Sequence, residues 1–177
     1  MLIVLMSCQS EGQRDSRQVE NSNTSEEISP KSILIDSTIL LNTYSGMSIL
    51  IDSAKYSTLN NESVFSFIKT KAKYQVIDSL TINEVTNAKI IYADFQNLGL
   101  DGLLSVVFIG TFDSKGEQID LLRIGKLEQA SDYFAYESSQ IQNFEIEKTI
   151  YFSGVELDSI WTEQYRINQN GQIRLKK

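Results

Sequence analysis

Two pairs of acids are the residues best placed to do chemistry in this chain. Glu145 with Glu147, and Glu156 with Asp158, each stand two residues apart. That spacing puts both side chains on one face of a β-strand. Two carboxylates facing one cleft can divide proton donation and acceptance between them, as glycoside hydrolysis requires. The competing reading is a solvated outer face, a common setting for acids on an antiparallel strand. Nothing beside either pair lifts it above that reading. Trp161, Tyr165 and Tyr151 offer aromatic surfaces on which a sugar would stack, although such aromatics more often serve core or cross-strand packing.

Other chemistries are removed by count. The 177 residues include no histidine and a single cysteine, Cys8. Ser-His-Asp and Cys-His nucleophiles, His-ligated metals, internal disulfides and Cys-rich metal sites are all excluded. Carboxylate-only catalysis and Ser-Lys chemistry remain open. No Gly-rich phosphate loop and no nucleophile elbow is present. The chain is therefore read as non-enzymatic, with no catalytic residue and no cofactor. Sixteen Lys and Arg against 23 Asp and Glu give a net charge of −7. The basic residues gather only at Arg174, Lys176 and Lys177. Nucleic acid is not an expected partner, because duplex affinity rests on phosphate neutralisation.

The first residues, MLIVLMSC, form an apolar run ending in Leu5-Met6-Ser7-Cys8. This stretch resembles the lipobox of bacterial lipoproteins. Ser7 takes the small position, Leu5 the apolar position three before the cysteine, and Met6 is a less usual residue between them. The resemblance implies lipidation at Cys8, with palmitate among the acyl chains, and a location in the cell envelope. Gln9 rather than Asp after the cysteine implies the outer membrane, facing periplasm or cell surface. The apolar run is short and no Lys or Arg precedes it; a start codon further upstream would supply both. Residues 9–30 hold almost no apolar side chains, so they cannot offset the entropy of ordering and read as a disordered tether. The expected organisation is a partial signal peptide over 1–8, that tether, and one globular domain over 31–177.

Two further resemblances are local. Asp94 to Gly102 is similar to the calcium loop of EF-hands and of FG-GAP surface repeats, with Asp94, Gln96 and Asp101 as its weak candidate ligands. Leu98 stands in a ligand position and Gly102 replaces the last acid, too few charged oxygens for calcium. The loop is expected to be a turn, with no metal. An apolar-Asp-Ser pattern recurs at Ser37, Ser53, Ser79 and Ser159. It looks like the O-glycosylation acceptor of Bacteroidetes envelope proteins. Asx-type turn chemistry accounts for it as well.

The elements that would position these residues read as mostly β. Ala88–Ile124 is the most apolar stretch, and Leu104–Gly125 predicts a hairpin turning at Asp113-Ser114-Lys115-Gly116. Ser32–Asn42 alternates as a strand and Met47–Asp52 as its hairpin partner. Residues 61–72, preceded by capping side chains, predict one short helix. Tyr74–Asp78 and Ser79–Val85 read as two short strands. Lys126–Gln140 fits a short helix or an irregular loop. Asn143–Phe152 and Val155–Ile167 alternate, and Asn170-Gly171 marks a final hairpin. The fold class is α+β, mostly β: an antiparallel meander of roughly eight to ten strands with one short helix near 61–72. The expected function is a lipid-anchored envelope protein whose β-rich domain binds or scaffolds an unknown protein or glycan. The alternatives are a carboxylate-dependent glycan-active enzyme and a calcium-stabilised surface domain.

Overall fold

A computed structural model of the chain describes residues 31–42, 44, 47–50, 73–94, 103–155 and 157–177. The strands are β1 (Ser32–Ile35), β2 (Met47–Ser48), β3 (Lys73–Asn83), β4 (Thr86–Asp94), β5 (Leu103–Asp113), β6 (Gln118–Gln129), β7 (Tyr133–Gln142), β8 (Glu145–Gly154), β9 (Asp158–Ile167) and β10 (Ile173–Leu175). One helical turn, α1 (Ser37–Leu40), follows β1. Strands β2 to β10 lie in one antiparallel sheet in chain order, and β1 pairs with β7. The mostly-β meander is thus the observed architecture.

Turn chemistry explains the register. Asp113 Oδ1 accepts hydrogen bonds from the backbone N–H of Lys115 and Glu117, and Gly116 takes a φ of 80°. Asn168 Oδ1 does the same for Asn170 and Gln172, with Gly171 at a φ of 77°. Both loops are three-residue hairpins with glycine in the left-handed position. The β5–β6 hairpin stands as read from the sequence; the final hairpin forms where Asn170-Gly171 marks it, but with a three-residue loop rather than the two-residue one that dipeptide signals.

Several expectations are corrected. Ser32–Asn42 is not one strand: Asp36 caps α1, accepting the Thr38 N–H at 2.9 Å, so the chain leaves the sheet after Ile35. Nor do β1 and β2 form a hairpin, because β1 pairs with β7 and β2 with β3. The two short strands over 74–85 are one strand, β3, with register shifts between Val76 and Asp78 and between Thr81 and Asn83. Lys126–Gln140 is neither helix nor loop; it completes β6 and opens β7 around a turn at 130–132. The helix near 61–72, the tether over 9–30 and the lipobox lie outside the described residues.

The sheet folds over on itself. Strands β6 and β7 pair only through Lys126–Gln129. Beyond that point β1 takes the place beside β7. The β9–β10 turn crosses to the β3–β6 half: Asn83 Nδ2 donates to Gln169 O at 2.7 Å, and Thr111 Oγ1 donates to Gly171 O at 2.6 Å. Ile173 N–H donates to the buried Asp120 at 2.9 Å. The core fills the space between the halves, with Ile90, Val107, Ile109 and Leu122 facing Ile35, Leu40, Ile141 and Ile167. Gly125 permits the close approach: a Cβ there would meet Ile35 Cγ2 at 2.7 Å.

Candidate binding site

Strand register sorts the side chains of β7, β8 and β9 into two faces. On one, Glu137, Ile150 and Trp161 form a row, then Ser139, Lys148 and Glu163, then Ile141, Ile146 and Tyr165. On the other, Gln140, Glu147 and Gln164 form a row beside Gln142, Glu145 and Arg166.

The first face carries charges inside the protein. Arg123 and Glu137 pair with only 2% and 3% of their side chains exposed, and Arg123 Nε donates to Glu137 Oε2 at 2.8 Å. Lys148, equally buried, lies 2.8 Å from Glu163 Oε2 and 5.4 Å from the Tyr165 ring centroid. Tyr165 Oη donates to Glu163 at 2.6 Å. Burial opposes ionisation of Glu163, but hydrogen bonds from Lys148 and Tyr165 outweigh it and hold the carboxyl below its ordinary range. Burial, and then the bond to Glu163, push the Tyr165 phenol upward. Glu128 is held low in the same way: burial raises it, while Tyr133 and Lys126 lower it further. Tyr133, bonded to Glu128 and partly buried, is pushed up to about 12. These acids are therefore acceptors and counter-ions at neutral pH, and the phenols are neutral donors.

The second face is wet. Glu145 and Glu147 do share it, as their spacing predicts, and both line a polar groove of about 470 Å³ with Gln140, Gln142, Gln164 and Arg166. Glu145 is 3.0 Å from Lys176 Nζ, and Glu147 accepts from Gln164 Nε2 at 3.2 Å. A wall of amides, carboxylates and a guanidinium offers many donors and acceptors at once, the inventory that hydroxyl-rich ligands use.

The remaining sequence candidates scatter. Asp158 opens β9 in an exposed position, and Glu156 lies outside the described residues. The aromatic trio does not assemble. Trp161 and Tyr165 share a face, but Tyr151 pairs with Ile160 on the opposite one. Tyr165 is 2% exposed, too buried for a sugar to stack on it, while Trp161 is 46% exposed. Ser37 starts α1 behind its Asp36 cap, Ser79 is exposed on β3, and Ser159 lies on β9. Ser53, Gln96, Asp101 and Cys8 lie outside the described residues, and Asp94 is described only as the end of β4. Among the described residues no group of three or more His, Cys, Asp or Glu is placed to hold a metal ion.

Arg123, Glu137, Lys148 and Glu163 were not singled out in sequence. A signal existed for two of them: Lys148 interrupts the apolar positions Ile146 and Ile150, and Arg123 interrupts the run from Leu121 to Ile124. A cation at a core position requires a buried anion.

No protein-family model matches the chain, and no curated protein or solved structure shows significant similarity to it.

Proposed function

We propose that this chain is a lipid-anchored cell-envelope protein whose β-rich domain binds or scaffolds a protein or glycan and performs no chemistry of its own. The observation that carries the proposal is Leu5-Met6-Ser7-Cys8 followed by the polar stretch Gln9–Ser29. Acyl chains contribute about 0.8 kcal/mol per buried methylene, so two or more on Cys8 hold a domain on a membrane. The groove carrying Glu145 and Glu147 supports a binding role, because both carboxylates are already engaged as acceptors.

The test is metabolic labelling of the full-length gene product with radioactive palmitate. Label should enter the parent chain and be lost in Cys8→Ala. An unlabelled parent recovered from the soluble fraction would remove the anchor.

A second reading, a carboxylate-dependent glycan-active enzyme, rests on Glu145 and Glu147 lining one groove. It requires that Glu145→Gln and Glu147→Gln each abolish glycan turnover. Turnover that survives both substitutions excludes it.

A further inference from the structure

Among the described residues a cavity lies where β3 approaches the start of β1. Among the described residues β2 pairs with β3 only through Gln75 and Val76, so Ser79–Asn83 form an edge on that side. Strand β1, on the opposite half, pairs with β7. Lys31, just ahead of β1, spans the gap by donating to Asp78 Oδ1 and to Ser79 O. Beside this bridge lies a cavity of about 560 Å³. That volume falls within the roughly 300–1,000 Å³ of small-molecule sites, which favour the mouths of curled sheets. Leu80, Ile141 and Phe144 supply its apolar wall, and Lys31, Ser79 and Asn143 its polar rim.

The turn below the cavity is strained. Asn143 and Phe144 both take positive φ, 53° and 62°. A two-residue hairpin turn of this hand favours Asn-Gly. A bulky residue in the second position is an outlier that costs about 1–2 kcal/mol. Such strain persists where the side chain serves something else. Here the ring of Phe144 is spent on the cavity wall and the adjoining core.

The rim chooses the ligand's head. Lys31 has three N–H donors and uses one on Asp78 and one on Ser79 O. Its charge is already matched by Asp78, so the rim offers no net positive charge to an anionic head. An uncharged head bearing hydroxyls finds the third Lys31 donor, the Ser79 hydroxyl and the Asn143 amide. We propose that this cavity binds a single-chain, uncharged amphiphile of the monoacylglycerol type, its hydrocarbon against Leu80, Ile141 and Phe144 and its hydroxyls at Lys31, Ser79 and Asn143. The proposal does not depend on acylation of Cys8.

The test is isothermal titration of the full chain carrying Cys8→Ser with monomeric 1-monolauroylglycerol, and with laurate as the anionic arm. The expected result is saturable binding of monolauroylglycerol in the micromolar range, about tenfold tighter than laurate. Phe144→Gly should melt within about 4 °C of the parent, strain relief offsetting the lost ring contacts, yet bind about tenfold more weakly. Thr81→Trp, placed on the exposed cavity rim, should block binding and leave the fold intact. Absence of saturable binding, equal affinity for laurate, or unchanged affinity in both variants would overturn the proposal. So would binding to Cys8→Ser that disappears in an acylated chain, which would make the protein's own anchor the occupant.

Discussion

Arg123 and Glu137 are held out of water almost completely, and so the pair matters more when broken than when intact. Removing one partner strands a buried charge and costs about 3–5 kcal/mol, whereas replacing both with apolar residues of similar size is close to neutral. Urea denaturation should therefore show Arg123→Met destabilised by about that amount, and Arg123→Met with Glu137→Leu restored to near the parent. The pH dependence is set by neighbouring acids. Glu163 and Glu128 sit below their ordinary value of 4.5 in the folded state. Their stabilisation is complete above that value and is lost as pH falls through the lower folded values. Asp120 runs the other way. Burial raises it above 3.8 against the hydrogen bonds from Ile173 and Leu121, so its contribution is present in acid and fades as pH rises through the folded value. A pH series of urea midpoints should fall below about pH 4.5, and Glu163→Gln should flatten that fall. Lys148 shows how far such a site was legible. Its alternation position placed it inward, but its partner Glu163 lies on the next strand, and only the β8–β9 register joins them.

At the scale of elements, short side-chain hydrogen bonds decided what could be read. The Asp113 and Asn168 loops carry their own acceptors and their own glycine, so both hairpins were visible in four or five residues. Gly171 is the more exacting position. It has positive φ, and a Cβ there would stand 2.8 Å from Ile119 Cδ1 and 3.0 Å from Thr86 Cγ2. Gly171→Ala should cost about 2–3 kcal/mol in urea denaturation, combining left-handed strain with crowding. Asp36→Ala should cost about 1 kcal/mol by removing the cap of α1. Alternation alone reads 32–42 as a strand because Ile33, Ile35, Ile39 and Leu41 keep the period through the helical turn. The Asp36-Ser37 pair that ends the strand looks in sequence like one more copy of the apolar-Asp-Ser pattern. Sequence pattern does not show β6 and β7 over Lys126–Gln140, because β7 alternates buried Ala135, Glu137 and Ser139, which no hydropathy pattern marks as inward.

For the whole molecule, the fold-over of the sheet is the feature that local patterns could not supply. It arises from the short β6–β7 pairing and from contacts more than fifty residues apart, such as Thr111 with Gly171 and Asp120 with Ile173. That fold-over creates both the buried charge face and the cavity beside Lys31. The end of β7 that takes β1, at Gln142, lies opposite its Tyr133 end, nine residues away along the strand. At about 3.3 Å per residue, the apolar tip with Phe152, Val155 and Leu157 is some 30 Å from the point where the chain enters the domain. A domain held through Cys8 would present that tip away from its attachment, whereas the polar groove with Gln142 and Glu145 lies at the entry end. The most direct measurement is the intact mass of the mature chain recovered from the membrane fraction of cells expressing the full-length gene. The mature polypeptide should begin at Cys8, carry a diacylglyceryl group and be found with the membranes, and a Cys8→Ala chain should lack both processing and lipid. A parent chain that retains residues 1–7, bears a free thiol and stays in the soluble fraction would contradict the lipid anchor.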